Sequence, residues 1–179
     1  MSLYKFNRAG PTREEYDIIL DIAKNKKTIL EFGPGSSTFA FIEAGVEKIY
    51  SCEHDDKWMQ KAKEMFSEYP QVELLSFDHR EFPLVIEEVE SKWFDLILVD
   101  APVGLHGKKT PRFARHENCS RWNTLKWSIT HSDCVLLHDA KREGEKESLK
   151  KIRELFNHNI EVFDTEKGLA KINAKHCLY

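Results

Sequence analysis

The chain has 179 residues, 41% of them hydrophobic, with 27 Lys and Arg against 30 Asp and Glu and a formal net charge of −3. That length suits one domain over residues 1–179 with a full core, and the acidic balance gives no overall field toward phosphate backbones, which argues against general nucleic-acid binding. No apolar run approaches the ~18 residues that cross a bilayer, and the N-terminus lacks the basic-then-apolar order of a secretory leader, so a cytoplasmic protein without a membrane partner is expected.

Thr12 and Glu15 form a capping box after Pro11, and Tyr16, Ile19, Leu20 and Ala23 recur at helical spacing, predicting a first helix to about Lys24. Thr28–Phe32 reads as an apolar strand ended by glycines, Ser37–Ala44 as a helix closing at Gly45, and Lys48–Cys52 as a second strand. Trp58, Ala62, Met65 and Phe66 share one face of a helix that stops near Pro70, and Val72–Phe77 is a third strand. Phe82, Val85, Ile86 and Val89 predict another helix with Pro83 in its first turn, and Phe94–Val99 is a wholly apolar fourth strand. Periodicity is lost from Ala101 to about Ser120. Trp122, Leu125 and Ile129 then mark a helix, Cys134–Leu137 a fifth strand, and Leu149, Ile152, Leu155 and Phe156 a last helix. Ile160–Phe163 and Leu169–Ile172, around Lys167-Gly168, read as a strand hairpin.

Strands alternating with helices demand parallel neighbours and right-handed crossovers, with helices on both faces of one sheet. The expected fold is therefore α/β, a three-layer αβα sandwich whose seven-stranded, mostly parallel sheet ends in an antiparallel hairpin. Four cysteines, Cys52, Cys119, Cys134 and Cys177, form no C-x-x-C pair, and Cys52 and Cys134 sit in apolar runs, as reduced packing residues do.

Residues 28–38 run Thr-Ile-Leu-Glu-Phe-Gly-Pro-Gly-Ser-Ser-Thr. Glycines at a strand exit let backbone approach a ligand, and the helix starting there aims free N–H groups at it, which marks a nucleotide-type cofactor site. A dinucleotide fingerprint wants a third glycine near Thr38 or Phe39, and Ser-Ser-Thr-Phe stands there instead, which argues against NAD. Glu53 ends the second strand twenty positions after Gly33, where a carboxylate can accept hydrogen bonds from both ribose hydroxyls. The acidic residue followed by Gly-x-Gly resembles the first motif of the Rossmann-like S-adenosylmethionine-dependent methyltransferases, whose seven-stranded sheet also ends in a hairpin. The resemblance implies S-adenosylmethionine as cofactor. Gly33, Pro34, Gly35 and Ser36 would line its bend, Glu31 would lie near its methionine part, Glu53 and His54 at its ribose, and Asp78 or His79 at its adenine amino group. Glu31 and Asp100 end neighbouring strands and are expected to face one crevice, where their carboxylates can meet the cofactor's ammonium. Ser37 and Thr38 are expected to cap the following helix.

Val99-Asp100-Ala101-Pro102-Val103-Gly104 and, after a helix, His138-Asp139-Ala140-Lys141-Arg142 narrow the resemblance to the plant polysaccharide methyltransferases that methylate glucuronic acid on xylan. This chain is far shorter than those proteins and differs between the two motifs, so the site carries over and the polymer substrate does not. Asp100 and Asp139 end adjacent strands, and two hard oxygen ligands there can meet a divalent ion such as Mg²⁺. A similar pair supplies metal ligands in catechol-type O-methyltransferases. Those enzymes add a third acid or amide next in sequence, where this chain has Ala140, so metal dependence and independence both stand. Methyl transfer from a sulfonium needs alignment and a proton acceptor for the nucleophile, and Asp100, His138 and Asp139 are the candidates. His138 attracts attention because its unperturbed pKa lies close to neutrality.

Between Ala101 and Trp122 five basic residues, Lys108, Lys109, Arg112, Arg115 and Arg121, face one acid, Glu117. A basic, aperiodic loop over a crevice can recognise an anionic acceptor by arginine pairing, which makes Arg112, Arg115 and Arg142 the candidate acceptor-binding residues. The expected activity is methylation, on oxygen, of a small or sugar-like anionic acceptor. A non-catalytic nucleotide-binding module and, further off, an NAD-dependent oxidoreductase are the alternatives.

Overall fold

The computed structural model describes residues 2–4, 10–78, 84–101, 121–156 and 158–173. The elements in chain order are α1 (Arg13–Ala23), β1 (Thr28–Phe32), α2 (Ser36–Glu43), β2 (Lys48–Glu53), α3 (Asp56–Met65), β3 (Val72–Ser76), β4 (Leu96–Val99), α4 (Trp122–Ser128), β5 (Cys134–His138), α5 (Glu143–Phe156), β6 (Asn159–Phe163) and β7 (Leu169–Asn173). They agree with the sequence reading to within a residue or two in most places. The expected helix around Val85 is the exception: its first residues lie outside the described ones, and residues 87–91 form turns. Leu84, Ile86 and Val89 still point inward, and Val85 is exposed, so the apolar residues reach the core from an irregular segment. Successive bonds from Val89 N–H to the Ile86 carbonyl and from Lys92 N–H to that of Val89 keep this segment compact.

The strands form one seven-stranded sheet in the order β3-β2-β1-β4-β5-β7-β6. The first five are parallel, and β7 runs antiparallel to both β5 and β6. A dinucleotide-binding sheet in the order 3-2-1-4-5-6 has no such inserted antiparallel strand.

Strand alternation sends side chains to two separate cores. Leu30, Phe32, Ile97, Val99, Val135 and Leu137 pack on one face with Leu125, Trp127, Leu149 and Ile152 of α4 and α5. Ile29, Ile49, Leu96, Leu98 and Leu136 pack on the other face with Tyr16 and Ile19 of α1, Phe39 and Phe41 of α2, and Ala62 of α3. Every residue of β4 and β5 is buried, as expected of central strands covered on both sides. Cys52 and Cys134 are free and buried. No helix among the described residues is long and apolar enough to cross a membrane.

This parity also positions the polar residues. Glu31 shares its face with Ile29, and Asp100 and His138 continue the faces of Leu98 and Leu136, so all three emerge toward α1 and α2 at the carboxyl ends of the strands. Ligands of open α/β sheets bind at that end, where the strand order reverses around β1 and β4.

Candidate functional site

The bend after β1 is held mainly by its backbone. Gly33 has φ of +96°, donates to the Cys52 carbonyl at 2.9 Å, and lies so close to the next strand exit that a Cβ would stand 3.2 Å from that of Ala101. A side chain there would be strained as well as crowded. Pro34 is buried, and its carbonyl accepts from the Trp58 indole at 2.7 Å, tying the bend to α3. Gly35 differs from Gly33: its φ of 178° lies outside the left-handed region, and a Cβ built on it meets no atom of the described residues within 4 Å. Nothing in the described packing requires a glycine at this position. The first residue of α2, Ser36, is buried.

Glu53, at the end of β2, is 4% exposed. The His54 and Asp55 N–H groups both donate to its Oε1, at 2.7 and 2.8 Å, and the His54 ring approaches the same oxygen at 3.0 Å. These contacts fix the carboxylate's direction at the strand end. His54 packs edge-on against Phe77, and Asp78 follows half-buried at the exit of β3. Gly33, Pro34, Gly35, Ser36, Glu53, His54 and Asp78 thus lie along one rim of the sheet. His79 is outside the described residues.

Glu31 departs from expectation. It is wholly buried, and hydroxyls occupy its carboxylate: Ser51 at 2.6 Å and Thr38 at 2.5 Å donate to Oε1, and Ser37 at 2.8 Å to Oε2. Ser51 is its register partner on β2, which brings that hydroxyl alongside. Burial pushes the Glu31 carboxyl up to about 7, overcoming the three donors that favour its charged form. Glu31 is therefore an anchor beneath the bend and does not face the crevice. Ser37 holds Glu31 where it was expected to cap α2, and Thr38 does both, its Oγ1 donating to Glu31 and accepting from the N-cap Gly35 N–H at 2.9 Å, as expected of a cap.

A chain of alternating charges lies at the other end of the crevice. His138 is fully buried, with Nδ1 2.7 Å from Asp100 Oδ1 and Nε2 3.2 Å from Glu15 Oε2. Burial opposes a charged ring, but the Asp100 charge and the hydrogen bonds to Asp100 and Glu15 prevail and raise it to about 9. A ring that holds its proton at neutral pH and has both nitrogens engaged is not a general base, which corrects the expected role of His138. Asp100 is mostly shielded, its side chain 12% exposed, and desolvation alone would raise its carboxyl, yet the His138 and Arg121 charges bring it below the usual range.

Arg121 is the residue at the centre of this chain, and it is 1% exposed. Its Nη1 donates to the His138 carbonyl at 2.6 Å, and its Nη2 lies 2.8 Å from Asp139 Oδ2 and 3.0 Å from Asp100 Oδ1. Asp139 has φ of +57°, a left-handed conformation that aspartate tolerates better than most residues. Its Oδ2 also pairs with Arg142 Nη2 at 2.9 Å. Arg142 Nη1 is buried and has no hydrogen-bond partner among the described residues. Arg112 and Arg115 lie outside the described residues.

Glu15 closes the chain from α1. Beyond its capping box with Thr12, its Oε1 accepts from Thr165 Oγ1 at 2.6 Å and the Lys167 N–H at 3.1 Å, binding α1 to the turn before β7. Burial would raise this carboxyl, but the bonds from His138, Thr165 and Thr12 lower it well below the usual range. Sequence reading had given Glu15 only a helix-capping role and Arg121 only a place in a basic loop. No short-range pattern joins them, because their partners come from distant segments.

The carboxylate and imidazole atoms of Asp100, His138 and Asp139 lie within 4.8 Å of one another, a spacing that metal ligands adopt. The donor chemistry does not fit a divalent ion, because Arg121 Nη2 already lies within hydrogen-bond distance of both carboxylates. The expected metal role of Asp100 and Asp139 is therefore opposed by the arrangement of these residues.

No protein-family model matches the chain, and no curated protein matches it in sequence. Solved structures do match it in fold. A Staphylococcus aureus protein assigned as a caffeoyl-CoA O-methyltransferase superposes with a TM-score of 0.71 at 15% identity, covering 92% of this chain and 85% of that one. The methyltransferase PaMTH1 of Podospora anserina, bound to S-adenosylhomocysteine, gives 0.69 at 16% identity over 93% and 80% of the two chains. An O-methyltransferase of Bacillus cereus in complex with S-adenosylhomocysteine gives 0.67 at 15% identity over 94% and 84%. The chain thus has a Rossmann-like fold shared with methyltransferases of this kind.

Proposed function

We propose that this chain binds S-adenosylmethionine across the ends of β1, β2 and β3 and transfers its methyl group to an oxygen of a small or sugar-like anionic acceptor. The observation that carries the reading is Gly35, whose missing side chain leaves space that no described residue fills, in front of a helix N-terminus and on the same rim as Glu53. A bound molecule supplies the missing reason for its bare backbone. Neighbours of the same fold were crystallised with S-adenosylhomocysteine, which is consistent with that ligand.

In this reading Glu53 accepts from the ribose hydroxyls, Asp78 meets the adenine edge, and the α2 N-terminus receives the methionine carboxylate. At the reaction end the acceptor hydroxyl donates to Asp100, whose side chain is 12% exposed and is held in place by His138. S-adenosylmethionine held there would supply the methyl group, its S–C bond breaking with the electron pair kept on sulfur as the acceptor's O–C bond formed. The hydroxyl proton leaves through Asp100 to solvent. Because Asp100 is a weak base, alignment supplies most of the acceleration. Arg142, with Nη1 free of partners among the described residues, pairs with the acceptor's carboxylate or phosphate. The motifs around Asp100 and Asp139 make uronic acids the first acceptors to try.

Isothermal titration with S-adenosylmethionine on the wild type and on Gly35→Val tests the cofactor half. Binding by the wild type, reduced at least about 100-fold in a variant that remains folded, is expected. Equal affinity in both removes the assignment of the bend. Release of S-adenosylhomocysteine with a panel of uronic acids, sugar phosphates and phenols tests the reaction. Cofactor binding with no turnover on any of them would favour a binding module.

A further inference from the structure

We infer that the guanidinium of Arg121 takes the place that a divalent ion shared by Asp100 and Asp139 would need, so that the two carboxylates are held together by a cation built into the chain. The geometry argues this in three ways. One nitrogen, Nη2, reaches both carboxylates, at 3.0 and 2.8 Å. An ion at its usual ~2.1 Å from those same oxygens would fall within contact of that nitrogen, and two cations would share one pair of anions. The guanidinium is also locked in from behind, by the His138 carbonyl on Nη1 at 2.6 Å and by Glu145 at 3.8 Å from Nε. It has little room to swing away on metal arrival.

The second argument is charge. Arg142 and His138 also approach Asp139, at 2.9 and 3.5 Å, and His138 approaches Asp100 at 2.7 Å, so with Arg121 Asp100 already has two cationic partners and Asp139 three. A doubly charged ion added there would meet three cationic side chains. The third argument is ligand supply. Ala140, next to Asp139, is buried and offers no oxygen from its side chain; of the other nearby carboxylates, Glu15 is engaged by Thr165, Lys167 and His138, and Glu145 lies against Arg121 Nε.

Arg121 is a positioning residue in this scheme. At 1% exposure it cannot reach an acceptor, but it sets where Asp100 and Asp139 present their oxygens, and through Asp139 where Arg142 lies. Its charge does the electrostatic work that a bound ion would otherwise do, independent of metal supply.

The test is Mn²⁺ binding, read from the electron paramagnetic resonance signal of free Mn²⁺, which needs neither cofactor nor acceptor and so stands apart from the methyl-transfer reading. With about 100 µM of protein and of Mn²⁺, wild type is expected to lower the free signal no more than Asp139→Asn does. A wild-type loss of more than about half the signal, abolished in Asp139→Asn, overturns the inference. Arg121→Met removes the cation while keeping apolar bulk, and is expected to take up Mn²⁺ at least about tenfold more tightly than wild type, a gain that Arg121→Met/Asp139→Asn loses. A folded Arg121→Met protein that binds no more than wild type also overturns it, since the two carboxylates would then not be an ion's place at all. If that variant does not fold, the wild-type comparison with Asp139→Asn still decides the matter.

Discussion

The two ends of the crevice are built on opposite physical plans. The bend after β1 rests on backbone hydrogen bonds and on neutral hydroxyls around one buried carboxyl, Glu31, all from β1, α2 and β2. The end beyond β4 and β5 rests on full charges, with Glu15, His138, Asp100, Arg121, Asp139 and Arg142 meeting in alternating sign. Neutral donors leave the first end tolerant of changes at its open rim. The second end is a set of desolvated ions, each of which is stable only because the next is present.

The largest expected effect follows from that dependence. Arg121→Met leaves Asp100 and Asp139 mostly shielded with one cation fewer, and should lower the unfolding free energy by about 3–5 kcal/mol in denaturant titrations at neutral pH. Gly35→Val, at the other end, should lower it by no more than about 1 kcal/mol, because its side chain meets no described atom and only the N-cap preference of α2 for glycine is lost. If the glycine variant were the less stable of the two, the contrast drawn between the ends would collapse.

An intermediate effect separates the two ends by pH. Both Glu31, raised to about 7 from 4.5, and His138, raised to about 9 from 6.5, bind their protons more tightly in the folded protein than in the unfolded chain. The stability each confers is complete below its unfolded pKa and is lost as pH rises through its folded one. Unfolding free energy should therefore fall in two steps above about pH 4.5, each up to about 3 kcal/mol, the first from Glu31 and the second from His138. Glu31→Gln should erase the lower step and leave the upper, and His138→Gln the reverse. Denaturant titrations across the pH range check this, and a single step removed by either variant would mean that the two ends titrate as one unit.

The same division explains what the sequence revealed. Thr28–Phe32, the two glycines and Glu53 lie within one strand-helix-strand unit, where periodicity and turn chemistry act over short range, and they were legible together with the sheet and its closing hairpin. Glu31 was found but its direction was missed, because strand parity turns it under α2, where three hydroxyls wait. Arg121 and Glu15 were legible only in their local roles. Glu15 meets His138 across 123 residues and Thr165 across 150, so only the assembled sheet reveals these pairs. The turns at 87–91 were misread for a related reason: inward-facing apolar residues there share helical spacing without a helix.

The smallest expected effect probes the neutral end most finely. Ser51 Oγ donates to Glu31 Oε1 at 2.6 Å from the opposite strand, and Ser51→Ala deletes that donor with almost no change in shape. A hydroxyl bond stabilises a carboxylate more than a protonated carboxyl, which has a proton of its own to share with neighbours. The loss should be about 1 kcal/mol well above pH 7, where Glu31 is ionised, and smaller below about pH 6, where it is protonated. The Glu31 titration should shift upward accordingly, which carbon-13 NMR of the labelled side-chain carboxyl would detect. An equal loss at both pH values would mean that Glu31 keeps one charge state throughout, and the neutral plan assigned to this end would give way to a charged one.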